Sequence, residues 1–255
     1  FYRKVVELQR KYCPRGRTIV NGMQTNGTLV NEAWASFLAE HGFFIGLSLD
    51  GPENLHNIHR LTRDGKPTFH QVMHGYDLMV MHGLDPEILC VVNATNAMYP
   101  LEVYGFFRQL GAPFLTFIPL VDRMQGGPAP VTPASVSAED FGTFLCRIFD
   151  VWKENDIGKV KIQIVEEALR TAFGQNHTLC IFKEECGGVP VVEHNGDFYS
   201  CDHFVSPEHH LGNIRTTALA DLLDSDRQRA FGRAKRETLP RYCRECEVLD
   251  MCHGE

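Results

Sequence analysis

The chain has 255 residues, 44% of them hydrophobic and 22% charged, with a formal net charge of −7, which describes one large soluble domain or one with a small appendage. No apolar run approaches the ~20 residues of a membrane span, so no membrane partner is expected. The acidic balance excludes duplex nucleic acid as a main partner, because phosphate binding wants a basic face.

The opening FYRKVVELQRKY reads as an amphipathic helix over 2–12, with Val5, Leu8 and Tyr12 on one side. It lacks the apolar core and small-residue cleavage site of a signal peptide, so a cytoplasmic location is expected. TIVNGMQTNGT then gives a short strand and a polar, Gly-containing loop. Asn31 can cap a helix through EAWASFLAEHG that Gly42 ends. FFIGLSLDGP is a near-continuous apolar strand of the kind buried on both faces in a parallel sheet. The helix FHQVMHGYDLMVMHG, the strand EILCVVNAT, the helix LEVYGFFRQLG and the strand FLTFIPLV follow in alternation. Ser137 starts the helix SAEDFGTFLCRIFDVWKEN, with Asp140 at the capping-box spacing. KVKIQIVE reads as one further strand, with a helix after it. Alternation of strand and helix over such units is the signature of a parallel α/β sheet or barrel.

The character changes near residue 175. VPVVEHNGDFYSC reads as a hairpin around Asn195-Gly196, a two-residue turn signal. A short helix, TALADLLDSDRQRAF, follows, and the chain runs out in CRECEVLDMCHGE. The expected division is a barrel over 1–175 and a small cysteine-rich domain over 176–255. The second has too little apolar sequence for an independent core and needs ligation to hold it.

Of the nine cysteines, Cys13, Cys90 and Cys146 are isolated in apolar surroundings and read as small core residues. Cys180, Cys186, Cys201, Cys243, Cys246 and Cys252 cluster in the last third. In a reducing compartment such thiols bind metal or do redox chemistry more often than they form disulfides. The spacing Cys243-x2-Cys246-x5-Cys252 lets neighbouring sulfurs reach one centre. Spacing alone leaves zinc and an iron–sulfur cluster both open. His203, His209 and His210 read as solvated or hydrogen-bonded rather than ligating.

The segment CGGVPVVEHNGDFYSCDHF fits the C-x9-G-x4-C opening of the SPASM domain, an auxiliary iron–sulfur domain of radical S-adenosylmethionine (SAM) enzymes. CRECEVLDMC fits that domain's second element up to its third cysteine. Together with QTNGT, GLSLDGP, HNIHR, TFIPLV and CDHFVSPEHHLGNI, in this order, the whole chain resembles the anaerobic sulfatase-maturating enzymes. The resemblance implies a partial (β/α)6 radical-SAM barrel followed by a SPASM domain, and it selects iron–sulfur over zinc. It implies oxidation of a sulfatase cysteine or serine to Cα-formylglycine, started by a 5′-deoxyadenosyl radical from SAM. The partners it implies are an unfolded or nascent sulfatase peptide and an electron donor such as flavodoxin or ferredoxin.

The family's C-x3-C-x2-C and Gly-Gly-Glu-Pro motifs are absent from this sequence. The chain therefore reads as an internal fragment, inactive alone, that lacks the first βα units and the end of the SPASM domain. By the resemblance, Asp202 is the base that takes the side-chain proton, with burial raising its pKa toward that role. Ser48, Arg60 and Leu120 contact SAM, with Arg63 near enough to compete with Arg60. Gln24 and Asn26 read equally as contacts to peptide or cofactor and as a simple polar turn. Cys180, Cys186 and Cys201 serve one auxiliary [4Fe-4S] cluster, and Cys243, Cys246 and Cys252 supply most of a second. The alternatives are a radical SAM maturase of another ribosomal peptide and a non-enzymatic zinc-binding module.

Overall fold

The computed structural model describes residues 1–124 and 131–254. The chain forms two compact units, Phe1–Ile164 and Val165–Glu255.

The first unit alternates α1 (Tyr2–Tyr12), β1 (Gly22–Thr25), α2 (Glu32–Glu40), β2 (Phe44–Ser48), α3 (Glu53–His59), α4 (Phe69–Met81), β3 (Glu87–Val92), α5 (Pro100–Leu110), β4 (Phe114–Pro119), α6 (Ala138–Asn155) and β5 (Lys161–Ile162). The five strands form one parallel sheet in the order β1-β2-β3-β4-β5. Local signals fix the helix ends. Asn31 Oδ1 accepts from the Trp34 amide, Ser137 Oγ accepts from the Asp140 amide, and Gly111 ends α5 at φ 75°. The helix α3 starts at Glu53 and runs into HNIHR as far as His59, a stretch to which the sequence reading assigned no element.

Alternation along the strands separates two faces. Ile45, Leu47, Ile88, Cys90, Val92, Leu115 and Phe117 are buried, as are the helix residues Leu38, Val72, Met79, Val103, Phe107, Phe144 and Ile148. Each such side chain contributes roughly 1.5–3 kcal/mol on full burial. The intervening residues Gln24, Gly46, Ser48, Glu87, Leu89 and Thr116 share the opposite face. At Gly75 a Cβ would lie 2.4 Å from the Gly27 carbonyl oxygen, so α4 packs directly on the loop after β1.

Three expectations change here. On α1 the inward residues are Val6, which is buried, and Gln9, whose amide pairs reciprocally with Asn21 at 2.7 and 3.0 Å. Leu8 and Tyr12 are exposed. Cys90 is a core residue, but Cys146 is exposed and Cys13 half-buried. The buried stripe of α6 runs through Phe144, Ile148 and Trp152, and Cys146 lies off it. The expected strand KVKIQIVE contributes only Lys161–Ile162 before the chain turns helical.

The second unit begins at Val165, inside helix α7 (Gln163–Ala172), earlier than residue 175. Glu167 on this helix is buried and bonded to His177 and Thr178, which ties α7 to the segment leading into the cysteines. Three short strands, β6 (Val191–Val192), β7 (Asp197–Tyr199) and β8 (His210–Asn213), pair antiparallel in that order. The hairpin turn is not a two-residue one. The Gly196 amide donates to Glu193 O and the Glu193 amide to Asp197 O, both at 2.8 Å, with Gly196 at φ 91°. That is a three-residue loop closed by a positive-φ glycine. The helix expected over TALADLLDSDRQRAF is two, α8 (Leu219–Leu223) and α9 (Asp226–Glu237), because Ser225 Oγ caps a fresh start by accepting from the Gln228 amide. Two single-turn helices, α10 (Arg241–Arg244) and α11 (Leu249–Cys252), carry Cys243 and Cys252, with Cys246 between them.

Candidate functional site

The carboxyl end of β2 runs into Ser48-Leu49-Asp50-Gly51-Pro52. Ser48 ends the strand on the face opposite the helices and is largely buried. Asp50 is 2% exposed and held at every polar atom. Its Oδ2 accepts from Arg60 Nε at 2.7 Å, and its Oδ1 accepts from Arg60 Nη2 at 3.0 Å and from the Val91 amide at 2.9 Å. Its backbone N–H donates to His56 Nδ1 at 3.3 Å, and its carbonyl accepts from Asn96 Nδ2 at 3.2 Å. The Asn96 amide also donates to Val91 O at 2.9 Å, joining the ends of β2 and β3.

Arg60 closes α3 and is fixed from the other side as well. Its amide donates to His56 O at 3.1 Å, and its carbonyl accepts from Thr68 Oγ1 at 2.7 Å. Thr68 Oγ1 in turn lies 3.1 Å from His56 Nε2. His56 therefore carries its proton on Nε2, since Nδ1 is the acceptor for Asp50. Burial lowers its pKa to about 4, against the opposing charge of Asp50. Burial is the largest influence on Arg60 and works against its charge, but the hydrogen bonds and the charge of Asp50 together outweigh it and hold the pKa above its ordinary value. The buried thiol of Cys90 is pushed well up, by burial first and then by Asp50. It is a poor nucleophile or ligand in that state. Arg63, the competing arginine, is exposed on the Thr62–Lys66 turn.

The remaining expected residues of this unit are dispersed along the same sheet. Gln24 is exposed and lines a cleft of about 750 Å³ with Gly46, Glu87, Leu89 and Phe114. Asn26 Oδ1 accepts from the Thr28 amide and hydroxyl at 3.2 and 3.0 Å, a local turn. Leu120 has its amide bonded to Val92 O at 2.8 Å and its carbonyl to the Val136 amide at 3.0 Å. Its side chain, half-buried, is what it has left to offer.

In the second unit, Cys180 lies in a 3-10 turn, Cys186 in the following loop and Cys201 just past β7. Cys201 and Cys180 are close enough to act on one another electrostatically. Burial pushes the Cys201 thiol up, with Asp202 adding to the effect. Cys243, and more weakly Cys252, raise the pKa of the Tyr242 hydroxyl, so both lie beside that ring. Among the described residues no three His, Cys, Asp or Glu side chains converge as the ligands of a single metal ion. A cubane spreads its thiolates more widely than one tetrahedral ion does.

Helix α9 braces two of these cysteine segments. The Cys186 amide donates to Gly232 O at 3.1 Å, and a Cβ on Gly232 would lie 2.7 Å from Cys186 O. Gln228 Nε2 donates to Gly187 O at 2.9 Å and to Ser200 O at 3.1 Å, so one buried amide spans the residues next to Cys186 and Cys201. A separate tie runs from Glu167 to His177 Nδ1 at 3.0 Å and from His177 Nε2 to Asp250 O at 3.0 Å, two residues from Cys252. Asp202 is exposed, and its Oδ1 accepts from Cys201 Sγ at 3.4 Å. The burial expected for it is not supplied by the described residues. His209 Nδ1 meets Ser206 Oγ at 3.0 Å and His210 Nε2 meets Asp197 Oδ1 at 3.2 Å, while His203 is exposed.

The sequence reading passed over Asp50, His56, Asn96, Gln228 and Gly232. Two of these left a signal. Asp50 is an acid directly after a buried apolar strand, and Gly232 is an isolated glycine in a helical pattern, which marks close packing. The other three are recognisable only from their partners.

A SPASM family profile, an iron-sulfur cluster-binding domain, matches residues 184–247, inside the second unit. The whole chain aligns at 42% identity with a serine-type anaerobic sulfatase-maturating enzyme of Bacteroides thetaiotaomicron, covering 64% of that protein. It aligns at 31% with a cysteine-type enzyme of Clostridium perfringens, covering 69%. The structure of native anSMEcpe with bound AdoMet superposes on the whole chain with a TM-score of 0.91 at 32% identity, over 69% of its own length. Streptococcus suis SuiB, at 16% identity and TM-score 0.63, shares the fold. The chain thus spans less than two thirds of the serine-type relatives' length and more of the cysteine-type ones, and it belongs to the family of anaerobic sulfatase-maturating enzymes.

Proposed function

We propose that this chain is the barrel and iron–sulfur portion of a radical SAM enzyme that oxidises a sulfatase cysteine or serine to Cα-formylglycine. The reading is carried by the alignment of the chain, in order and over its full length, with serine-type and cysteine-type maturating enzymes. The resemblance to structures holding AdoMet and the Kp18Cys or Cp18Cys peptide supports SAM as cofactor and a peptide as substrate.

The residues present fit both groups. On Arg60, the Nε and Nη2 edge is taken by Asp50, and among the described residues nothing bonds Nη1, which leaves a planar donor edge suited to a carboxylate. In the second unit the donor set is six thiols, and Gly232 supplies a cradle for the Cys186 carbonyl that any Cβ would fill. Cys180, Cys186 and Cys201 would hold one auxiliary [4Fe-4S] cluster, and Cys243, Cys246 and Cys252 would supply thiolates to another. When bound, SAM would supply the radical that removes a hydrogen from the target β-carbon, on reduction by a cluster whose C-x3-C-x2-C ligands are not among these residues, and the two auxiliary clusters would supply one-electron chemistry.

The chain's own residues have distinct tasks in this reading. Arg60 receives the SAM carboxylate, the Ser48 hydroxyl donates to the carboxylate or ribose, and the Leu120 side chain packs on the adenine. Gln24 and Asn26 contact peptide or cofactor at the β1 end. Asp202 takes the side-chain proton of the target residue. Its present partner is the Cys201 thiol. As a cluster ligand Cys201 has no proton to donate, which leaves the Asp202 carboxylate open as an acceptor. An external protein such as a flavodoxin or ferredoxin serves as electron donor.

The test is anaerobic reconstitution of the full-length protein with SAM, a reductant and a sulfatase-motif peptide carrying cysteine or serine. The reading expects 5′-deoxyadenosine and a formylglycine peptide by mass. SAM cleavage with a crosslinked or epimerised peptide would point to a different maturase, and bound zinc without SAM cleavage to a binding module.

A further inference from the structure

We propose that Asp50 is a positioning residue for SAM: it grips one edge of the Arg60 guanidinium and so presents the other edge to the SAM carboxylate in a fixed plane. The inference rests on the reading of Arg60 as the residue that receives that carboxylate.

Asp50 is an anchor with no freedom of its own. Its side chain is 3% exposed, and its amide, carbonyl and both carboxylate oxygens all have partners. The Val91 amide fixes Oδ1 from the neighbouring strand, so the carboxylate plane is set by the β2–β3 ladder rather than by the loop. Arg60 differs: its side chain is 26% exposed, and it sits at the end of a seven-residue helix. A long side chain in such a place ordinarily samples many rotamers, and a ligand must freeze them on binding. The side-on grip by Asp50 removes that cost in advance. It consumes Nε and one hydrogen of Nη2, and leaves Nη1 and the outer hydrogen of Nη2 as a second bidentate edge.

Two effects of Asp50 on an incoming carboxylate oppose each other. Its charge repels the ligand, and its hydrogen bonds orient the donor. The charges would be separated by the full width of the guanidinium, whereas the orientation acts at contact distance through charge-assisted bonds. Orientation is therefore the stronger, and removing the Asp50 charge should weaken SAM binding. A purely electrostatic role predicts the reverse sign.

The experiment uses full-length, cluster-loaded protein and two probes, SAM and decarboxylated SAM, with affinities from equilibrium dialysis. For Asp50→Asn, whose amide turns a donor toward Arg60, the inference expects SAM affinity to fall at least about tenfold. Decarboxylated SAM should bind as before and iron content should stay the same. In 5′-deoxyadenosine release, KM for SAM should rise while kcat changes little. A second variant, Arg60→Lys, keeps the charge but has no planar edge. It should lose the preference for SAM over the decarboxylated probe to a similar extent, and Asp50→Asn should add little in its background. Unchanged or tighter SAM binding by Asp50→Asn overturns the inference. If that variant fails to load or fold, wild-type discrimination by Arg60→Lys overturns it. Failure of the wild-type protein itself to bind SAM sinks the proposed function instead, so the two failures are told apart.

Discussion

Acidification should loosen the junction of β2 and β3 through a single buried imidazole. His56 is 0% exposed, accepts from the Asp50 amide and donates toward Thr68 Oγ1, and burial lowers its pKa to about 4. Protonation would place a second donor, on Nδ1, against the Asp50 N–H and break that bond, and would put a charge in a buried site. Because the folded pKa lies below the unfolded value, the contribution of His56 to stability is complete above about pH 6.5 and is lost as pH falls toward about 4. Going from about pH 7 to about pH 5 crosses roughly one and a half units of that window, which at ~1.4 kcal/mol per unit gives at most about 2 kcal/mol. That corresponds to a loss of protection of up to about thirtyfold. The assay is hydrogen exchange of the full-length protein by mass spectrometry, corrected for the intrinsic effect of pH, on peptides covering 44–60 and 87–96. The reference is His56→Asn, whose side-chain oxygen can stand in for Nδ1 without titrating. Wild type should lose protection with acid more steeply than this variant. Equal slopes in the two proteins would show that the imidazole does not carry the effect.

Two further outcomes are expected. Asp202→Asn, nearly isosteric and leaving Cys201 in place, should keep iron content and 5′-deoxyadenosine release but lose formylglycine by about a hundredfold or more, the scale of a general base; a parallel fall in both products would mark Asp202 as structural. Gly232→Val should push a side chain into the Cys186 carbonyl, which lies 2.7 Å from where a Cβ at that position would sit, and lower the iron of reconstituted full-length protein by about four atoms, one cluster's worth, with SAM binding retained; full iron loading would refute the bracing role of α9.

The parallel α/β order was legible because it is written in periodicity. Runs such as FFIGLSLDGP and EILCVVNAT have the length and composition of buried strands, and Asn31, Ser137 and Gly111 mark helix ends by local chemistry alone. What failed to show was whatever depends on a distant partner. The split between α8 and α9 turns on one Ser225 hydroxyl, and the orientation of α1 turns on Gln9 finding Asn21. The hairpin loop differs from expectation because Asn-Gly suits a two-residue turn, while the ladder here closes one residue earlier. In the site, Arg60 and Ser48 stood out by position in a recognisable motif. Asp50, which holds Arg60, was in the same motif but gave no sign of its partner.

The second unit shows how a domain with little apolar interior can still hold its cysteine loops. Among its described residues the buried apolar side chains reduce to Phe198 and Leu222, while Glu167, His177, Ser200 and Gln228 are buried polar groups. Burying polar groups costs free energy unless each is satisfied, so these are expensive choices for a core. Their partners explain the choice. Gln228 bonds the carbonyls of Gly187 and Ser200, next to two cysteines, and His177 carries a hydrogen bond from α7 to the turn before Cys252. An apolar core would supply adhesion without fixing peptide planes, whereas these bonds fix peptide planes next to Cys186 and Cys201 and near Cys252. Gln228 Oε1 is buried with no partner among the described residues. The amide therefore gives up half its bonding capacity to keep both hydrogens on the cysteine loops, and that sacrifice makes sense only if the geometry of those loops matters more than the stability lost.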